Sequence, residues 1–105
     1  MTDFQKRVYE AVRCIPRGFA VSYGEVARFI GCRSARAVGA ALRRNPTPET
    51  VPCYRVVAAD GALTGFFGSS AAASLARKRR LLKNDGVAFD ASGRVRKEFL
   101  WQWTR

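Results

Sequence analysis

The sequence predicts a mainly α fold with a small β wing, a winged helix-turn-helix domain. Three observations point there. Apolar residues recur at three- and four-residue intervals in four stretches, which is the helical period. A glycine-containing turn separates the second stretch from the third, the arrangement of a helix-turn-helix. Only one Val-Val pair, followed by Asp60-Gly61, offers a strand and a tight turn. At 105 residues and 48% apolar content, the chain has room for one domain, residues 1–105, whose core buries roughly 60–65% of the surface an unfolded chain exposes.

The first helix follows from Phe4, Val8, Ala11, Val12 and Ile15, with Thr2 as its cap and Pro16-Arg17-Gly18 as its end. A short extended piece from Phe19 to Val21 leads into Ser22-Tyr23-Gly24-Glu25, whose Ser and Glu have capping-box spacing. A second helix then carries Val26, Ala27, Phe29 and Ile30 and stops at Gly31. Ser34 caps a third, through Ala35, Ala37, Val38, Ala41 and Leu42 to about Arg44. Its buried stripe is small and its other positions carry Arg36, Arg43 and Arg44, with Arg33 just ahead, so it suits close approach to DNA, Gly39 adding to that approach. Asn45-Pro46-Thr47-Pro48 is a stiff connection. Val56 and Val57 read as a buried strand, and a strand pairing back near Ala62 to Thr64 would complete the wing. A fourth helix from Ser69 or Ser70 to Asn84 has Leu75, Ala76, Leu81 and Leu82 as its apolar residues, with Arg77-Lys78-Arg79-Arg80 read as a largely solvated face and Gly86 as its stop. In the tail, Val87, Phe89, Val95, Phe99, Leu100, Trp101 and Trp103 alternate with charges and close the core.

Nineteen Lys and Arg against eight Asp and Glu give a net charge of +11. A polyanion is therefore the first partner to consider, and nucleic acid the economical one. No apolar run approaches the about 18 residues of a membrane span, so no membrane partner is expected. A soluble protein of the cytoplasm (nucleoid) or nucleus is expected. Cys14, Cys32 and Cys53 are odd in number and far apart, and the chain has no histidine, which argues against a structural metal or a disulfide framework. Cys14 and Cys32 sit beside apolar residues at helical spacing and read as small buried hydrophobes. Only Cys53 has a context that suggests chemistry.

That context is Val51-Pro52-Cys53-Tyr54-Arg55-Val56-Val57. It resembles the Pro-Cys-His-Arg-Val acceptor motif of the O6-alkylguanine-DNA alkyltransferases, whose cysteine takes the alkyl group irreversibly, with tyrosine in place of histidine. Further strings follow in order: Val21 to Glu25 matches the family's Val-Ser-Tyr-Gly-Glu, Ala35 to Gly39 its Ala-Arg-Ala-Val-Gly helix, Asn45-Pro46 its Asn-Pro pair, and Arg77 to Leu82 its Arg-Lys-x-x-Leu-Leu helix. The resemblance covers nearly the whole chain and concerns the family's C-terminal DNA-binding and active-site domain, which its alkyltransferase-like relatives share.

The resemblance implies roles residue by residue. Tyr23 would lie against the phosphate of the target nucleotide, and Arg36 would enter the base stack where the guanine leaves it. Ala37, Gly39, Arg33 and Arg43 would belong to the DNA face. Asn45 would tie the turn that holds Cys53, the backbone at Val56 would recognise the flipped base, and Phe66 would line the alkylguanine pocket. No cofactor is implied. A stacked guanine's O6 substituent cannot be reached in line by a thiol, so the base must be extruded.

The chemistry requires a thiolate, and a free cysteine at about pKa 8.5 is mostly protonated at neutral pH. The family uses a histidine, linked through water to the cysteine and directly to a glutamate. Tyr54 and Asp85 occupy those two positions here. Tyrosine, at a pKa of about 10, is a poor base at pH 7, so Arg55 or a helix N-terminus is the sequence's remaining candidate for stabilising the thiolate. In the non-enzymatic relatives, by contrast, tryptophan usually stands at the Cys53 position. Three function classes therefore stand side by side: a single-turnover methyltransferase acting on duplex DNA containing O6-alkylguanine; a lesion binder that flips and shields the base for other factors, of which nucleotide-excision-repair proteins are the expected ones; and a plain winged-helix regulator. A monomer is expected in each.

Overall fold

A computed structural model describes residues 1–47, 50–64 and 72–103. The described fold is mainly helical with a two-stranded sheet. Helix α1 (Asp3–Arg13) begins at a capping box, in which Thr2 Oγ1 accepts from the Gln5 N–H while Gln5 answers to the Thr2 N–H. It ends at Arg13, earlier than the sequence suggests. Ile15 lies beyond the helix and is nonetheless buried.

Strand β1 (Val21–Ser22) runs straight into α2 (Tyr23–Ile30), capped by Ser22 Oγ on the Glu25 N–H at 3.0 Å. The reciprocal half of the expected box is absent. The Glu25 carboxylate is instead buried, 7% exposed, and accepts from Arg28 Nε, Arg28 Nη2 and the Trp103 N–H. The sequence tail is thereby fastened to the second helix, and Phe29 stacks on Trp103 at 4.3 Å. Gly31 adopts φ +77°, a left-handed stop that suits glycine. Ser34 caps α3 (Ala35–Arg43), and Val8, Val12, Val26, Val38 and Leu42 join the three helices in one core.

Strand β2 (Val56–Val57) is where the expected wing differs. It does not pair back on Ala62 to Thr64: it lies parallel to β1, with Val21 opposite Val56 and Ser22 opposite Val57. The Asp60-Gly61 turn is present, closed by Gly61 N–H to Ala58 O at 2.9 Å, but only the Ala58 N–H to Ala62 O bond follows it. Both valines are fully buried between neighbouring elements, so their hydrogen-bonding edges meet the strand that enters α2 and not a solvated hairpin. Helix α4 (Ala72–Asn84) packs Leu82 on a second cluster with Ala20, Val57, Val87 and Val95. Its expected start at Ser69 or Ser70 lies outside the described residues.

Two readings of side-chain placement are corrected. Cys14 is exposed and Cys32 half-buried, because Cys14 is the C-cap of α1 and Cys32 lies in the turn before α3, each just past the helical stripe that suggested burial. Lys78, assigned to a solvated face, is 1% exposed, while Arg77 and Arg80 do face outward. Lys78 falls three residues after Leu75 and four before Leu82, on the inward stripe of α4. No helix among the described residues is long and apolar enough to cross a membrane.

Candidate functional site

Cys53 opens a single 3-10 turn, Cys53–Arg55, placed between the Asn45–Val51 connection and β2. The connection is tied by Asn45, whose Nδ2 donates to Val51 O at 3.0 Å and whose Oδ1 accepts from the Thr47 N–H at 3.0 Å. The Cys53 N–H donates to Val51 O at 2.7 Å, so one carbonyl serves both the asparagine and the cysteine. Only 9% of Cys53 is exposed. Burial pushes its thiol up, and the Asn45 side-chain hydrogen bond and the Lys78 charge act in the opposite direction without overcoming it. The resting sulfur is therefore a thiol.

Tyr54, the middle residue of the turn, lies against Asp85. Tyr54 Oη donates to Asp85 Oδ2 at 2.8 Å, and Arg55 Nε donates to the same oxygen at 2.7 Å. Arg55 Nη1 also donates to Ile15 O at 3.1 Å. Arg17 stands 3.5 Å from Asp85 Oδ1. Burial and the bond to Asp85 push the Tyr54 hydroxyl up, away from any basic role at neutral pH. Arg55, the sequence's candidate for stabilising the thiolate, is committed to Asp85 and Ile15.

The cation whose field reaches Cys53 is Lys78. Its Nζ donates to Thr64 O at 3.3 Å and stands 5.8 Å from the centre of the Tyr23 ring. Thr64 Oγ1 in turn donates to Tyr23 Oη at 3.1 Å. Burial lowers the Lys78 ammonium to about 8, with the Cys53 charge opposing. Tyr23, Thr64, Lys78 and Cys53 thus form one constellation drawn from α2, the loop after β2, α4 and the 3-10 turn. Sequence reading placed Lys78 on a solvated face and gave Thr64 no part in the site. For Lys78 the available signal was its spacing from Leu75 and Leu82; Thr64 carried none.

Arg36, Ala40, Arg43 and Arg44 are exposed along one side of α3, with Arg33 exposed just before it. Ala37 and Gly39 are half-buried beside this stripe. A Cβ on Gly39 would meet the Tyr23 ring at 3.8 Å, so this glycine borders Tyr23 as well as solvent. The Val56 side chain is fully buried, and its N–H donates to Cys53 O. Phe66 lies outside the described residues. Tyr23 therefore links the Thr64 loop with the arginine-bearing helix, since it touches both Thr64 and the surroundings of Gly39.

Comparison with known proteins matches this arrangement. A family model described as "6-O-methylguanine DNA methyltransferase, DNA binding domain" matches residues 3–87. The methylated-DNA–protein-cysteine methyltransferase of Mycobacterium bovis is 49% identical over 83 residues, 78% of this chain and 47% of the relative. That of Methanosarcina acetivorans is 46% identical over 86 residues, 81% of this chain and 52% of the relative. The chain thus spans about half the length of the curated relatives it matches. Among solved structures, Mycobacterium tuberculosis OGT in complex with DNA superposes with a TM-score of 0.73 at 48% identity, covering 81% of this chain and 50% of that one. S. pombe Atl1 in complex with damaged DNA containing O6-carboxymethylguanine gives a TM-score of 0.79 at 30% identity, covering 97% of each chain.

Proposed function

Because the chain belongs to the O6-methylguanine DNA methyltransferase family through its DNA-binding domain, we propose that it binds duplex DNA, extrudes O6-alkylguanine and transfers the alkyl group irreversibly to Cys53. The observation that carries this reading is the placement of Cys53. A thiol held by a tied turn, with a lysine field on one side and Tyr23 between it and an arginine-lined helix, is where an extruded base would arrive. In the step itself the Cys53 sulfur attacks the alkyl carbon, the C–S bond forms as the C–O6 bond breaks, and the electron pair goes to O6. The proton shed by the Cys53 thiol balances the one taken up by the departing guanine anion, and the protein is left as a thioether and acts once.

In this reading Arg36 fills the stack that the base vacates, and Arg33, Arg43, Ala37 and Gly39 form the surrounding face. Tyr23 abuts the phosphate of the flipped nucleotide. Asn45 positions the acceptor turn, Tyr54 and Asp85 brace it, and the Val56 backbone and Phe66 contact the base. The protein works as a monomer, as a single domain over residues 1–105, in the cytoplasm, nucleoid or nucleus. No cofactor takes part in the step as written.

One observation favours a second reading. Tyr54 is spent on Asp85 and is a poor base, so the acceptor lacks the family's imidazole. A protein that flips and shields the lesion without chemistry, handing it to nucleotide-excision-repair factors, would need no base. Incubating stoichiometric protein with a short duplex containing one O6-methylguanine and measuring intact protein mass separates the two. The expected result is a gain of one methyl group that is lost in Cys53→Ala. Lesion-selective binding with no mass gain would overturn the transfer reading in favour of the binder, and equal binding to lesion and plain duplex would leave a winged-helix regulator.

A further inference from the structure

We propose that the outer face of α4, built on Arg80 and Lys83 and flanked by Arg77 and Arg17, holds the phosphate backbone of a second DNA segment while α3 holds the first. The inference rests on the DNA-binding part of the proposed function and not on alkyl transfer.

Placement comes first. Alternate residues of a strand point to opposite faces. Val21 and Val56 accordingly join the cluster of α1, α2 and α3, whereas Ala20 and Val57 join Leu82 of α4 in the other. The two basic helices therefore stand on opposite faces of the sheet, with Leu81 of α4 also touching the first cluster. Arg80 lies two residues from buried Lys78 and two from buried Leu82, about 200° round the helix from each, so it points away from the sheet. Arg77, Arg80 and Lys83 recur at the three-residue spacing of one helical face, and all three are exposed. At the end of the helix Arg17, 73% exposed, donates from Nη2 to Asn84 O at 3.2 Å and extends the row.

Charge sets these two helices apart from the rest of the chain. Neither α3 nor α4 contains Asp or Glu, whereas α1 carries Asp3 and Glu10, α2 carries Glu25, and the tail after α4 carries Asp85, Asp90 and Glu98. Ion pairs engage Arg17, Arg28, Arg55, Arg94 and Arg96. Among the described residues neither Arg80 nor Lys83 joins one. Cations three apart on a helix repel each other, and a polyanion laid along the face relieves that repulsion. The face has the chemistry of a backbone contact alone. The other exposed positions of α4 are Ala72, Ala73, Ala76 and Asn84, so it offers no aromatic ring to stack on a base and no large apolar side chain to enter a lipid surface. From Arg77 to Lys83 the row runs about 9 Å, roughly the axial rise of two to three base pairs, which matches neighbouring phosphates of one strand. With Arg33, Arg36 and Arg43 exposed at α3, one molecule presents an anion-binding face on each side of its sheet and bridges two segments.

A bridging assay tests this. One plain duplex is tethered to a surface, intact protein is added, and capture of a second, labelled plain duplex from solution is measured; the mass of the soluble complexes gives their stoichiometry. The wild type is expected to capture, in complexes of one protein with two duplexes. Arg80→Gln/Lys83→Gln is expected to reduce capture by about tenfold or more, to lower the slope of log capture against log salt by about 1.8, and to change single-duplex affinity by less than about threefold. The charge-keeping Arg80→Lys/Lys83→Arg is expected to capture as the wild type does, and circular dichroism confirms that both variants are folded. The inference is overturned if the wild type binds the tethered duplex without capturing the second. It is also overturned if capture runs through two proteins with two duplexes and survives in Arg80→Gln/Lys83→Gln, or if single-duplex affinity falls as far as capture, which would put the row on the first duplex. A protein that binds no duplex at all sinks the DNA-binding reading with it. One that bridges duplexes yet takes up no methyl group leaves the inference standing and removes only the transfer reading.

Discussion

Asp85→Asn tests whether the Cys53–Arg55 turn is held by its ion pair or merely accompanied by it. The Asp85 side chain is 7% exposed and that of Arg55 14%, whereas Arg17 is 73% exposed. The Arg17 arm is therefore screened by water and contributes little. The Arg55 arm is not: removing one partner of a buried pair leaves an uncompensated charge, at a cost of about 3–5 kcal/mol. Asparagine keeps one carbonyl oxygen that can accept from Tyr54 or Arg55, and Arg55 keeps Ile15 O, which places the expected loss at the lower end, about 3 kcal/mol. For a chain of this size that is a fall in Tm of roughly 12–24 °C. Tyr54→Phe removes one donor to a charged acceptor and should cost about 1.5 kcal/mol. Urea unfolding at constant m gives both values. A double-mutant cycle should return a coupling of about 1 kcal/mol, since both donors meet at Oδ2. A loss below about 1 kcal/mol in Asp85→Asn, or one no larger than in Tyr54→Phe, would refute the claim that the buried pair fixes the turn.

Three further outcomes are expected. Arg36→Ala should reduce discrimination between O6-methylguanine and plain duplex more than it reduces plain-duplex affinity, while leaving the slope of log affinity against log salt unchanged; a slope smaller by about 0.9 would make Arg36 a phosphate contact and not a wedge. Gly61→Ala should cost at least about 2 kcal/mol in urea unfolding, because Gly61 adopts φ +86° and a Cβ there would stand 2.6 Å from Val95 O; near-neutral stability would mean that this turn yields. Stability should also register Lys78 through pH. Its ammonium is lowered from 10.5 to about 8 in the fold, so between those values the unfolded chain binds more protons and Lys78 makes stability rise with pH. Cys53 and Tyr54, whose folded values are raised, oppose this at the alkaline end, so the readout is the difference between wild type and Lys78→Met. Any advantage of Lys78→Met at pH 7.5 should shrink by roughly 2–3 kcal/mol by pH 10.5, and a pH-independent difference would refute the burial assignment.

The helices were legible because their signals are local. Thr2, Ser22 and Ser34 cap where their spacing says they should, and Gly31 stops α2 through its own backbone. The sheet was not, because two residues of Val-Val carry no information about their partner: β2 could have turned back on Ala62 or, as it does, lain along β1. Glu25 shows the same limit at one side chain. Its capping spacing is real, yet the carboxylate is drawn to Arg28 and to Trp103, a residue 78 positions away that no local rule connects to it. The turn at Cys53 could be read from its string, including the tie made by Asn45 and the meeting of Tyr54 with Asp85. Lys78 was concealed by its neighbours, because a run of four basic residues reads as a solvated face unless each is projected onto the helix separately.

The replacement of histidine by tyrosine separates two tasks that an imidazole combines. A histidine bonded to a carboxylate both braces the turn after the cysteine and carries the cysteine's proton. Tyr54 retains the first task, since its hydroxyl reaches Asp85 at 2.8 Å and Arg55 joins the same oxygen. It forfeits the second, because a phenol pushed above its ordinary value cannot take a proton from a thiol at neutral pH. The bracing of the turn is therefore mutable in this chain without touching an imidazole. Asp85 variants should disturb stability and thiol placement together. In a relative with an imidazole after its cysteine the two tasks would be entangled in one residue. Here the unfolding curve of Asp85 and Tyr54 variants reads the bracing of the turn without any imidazole in the way.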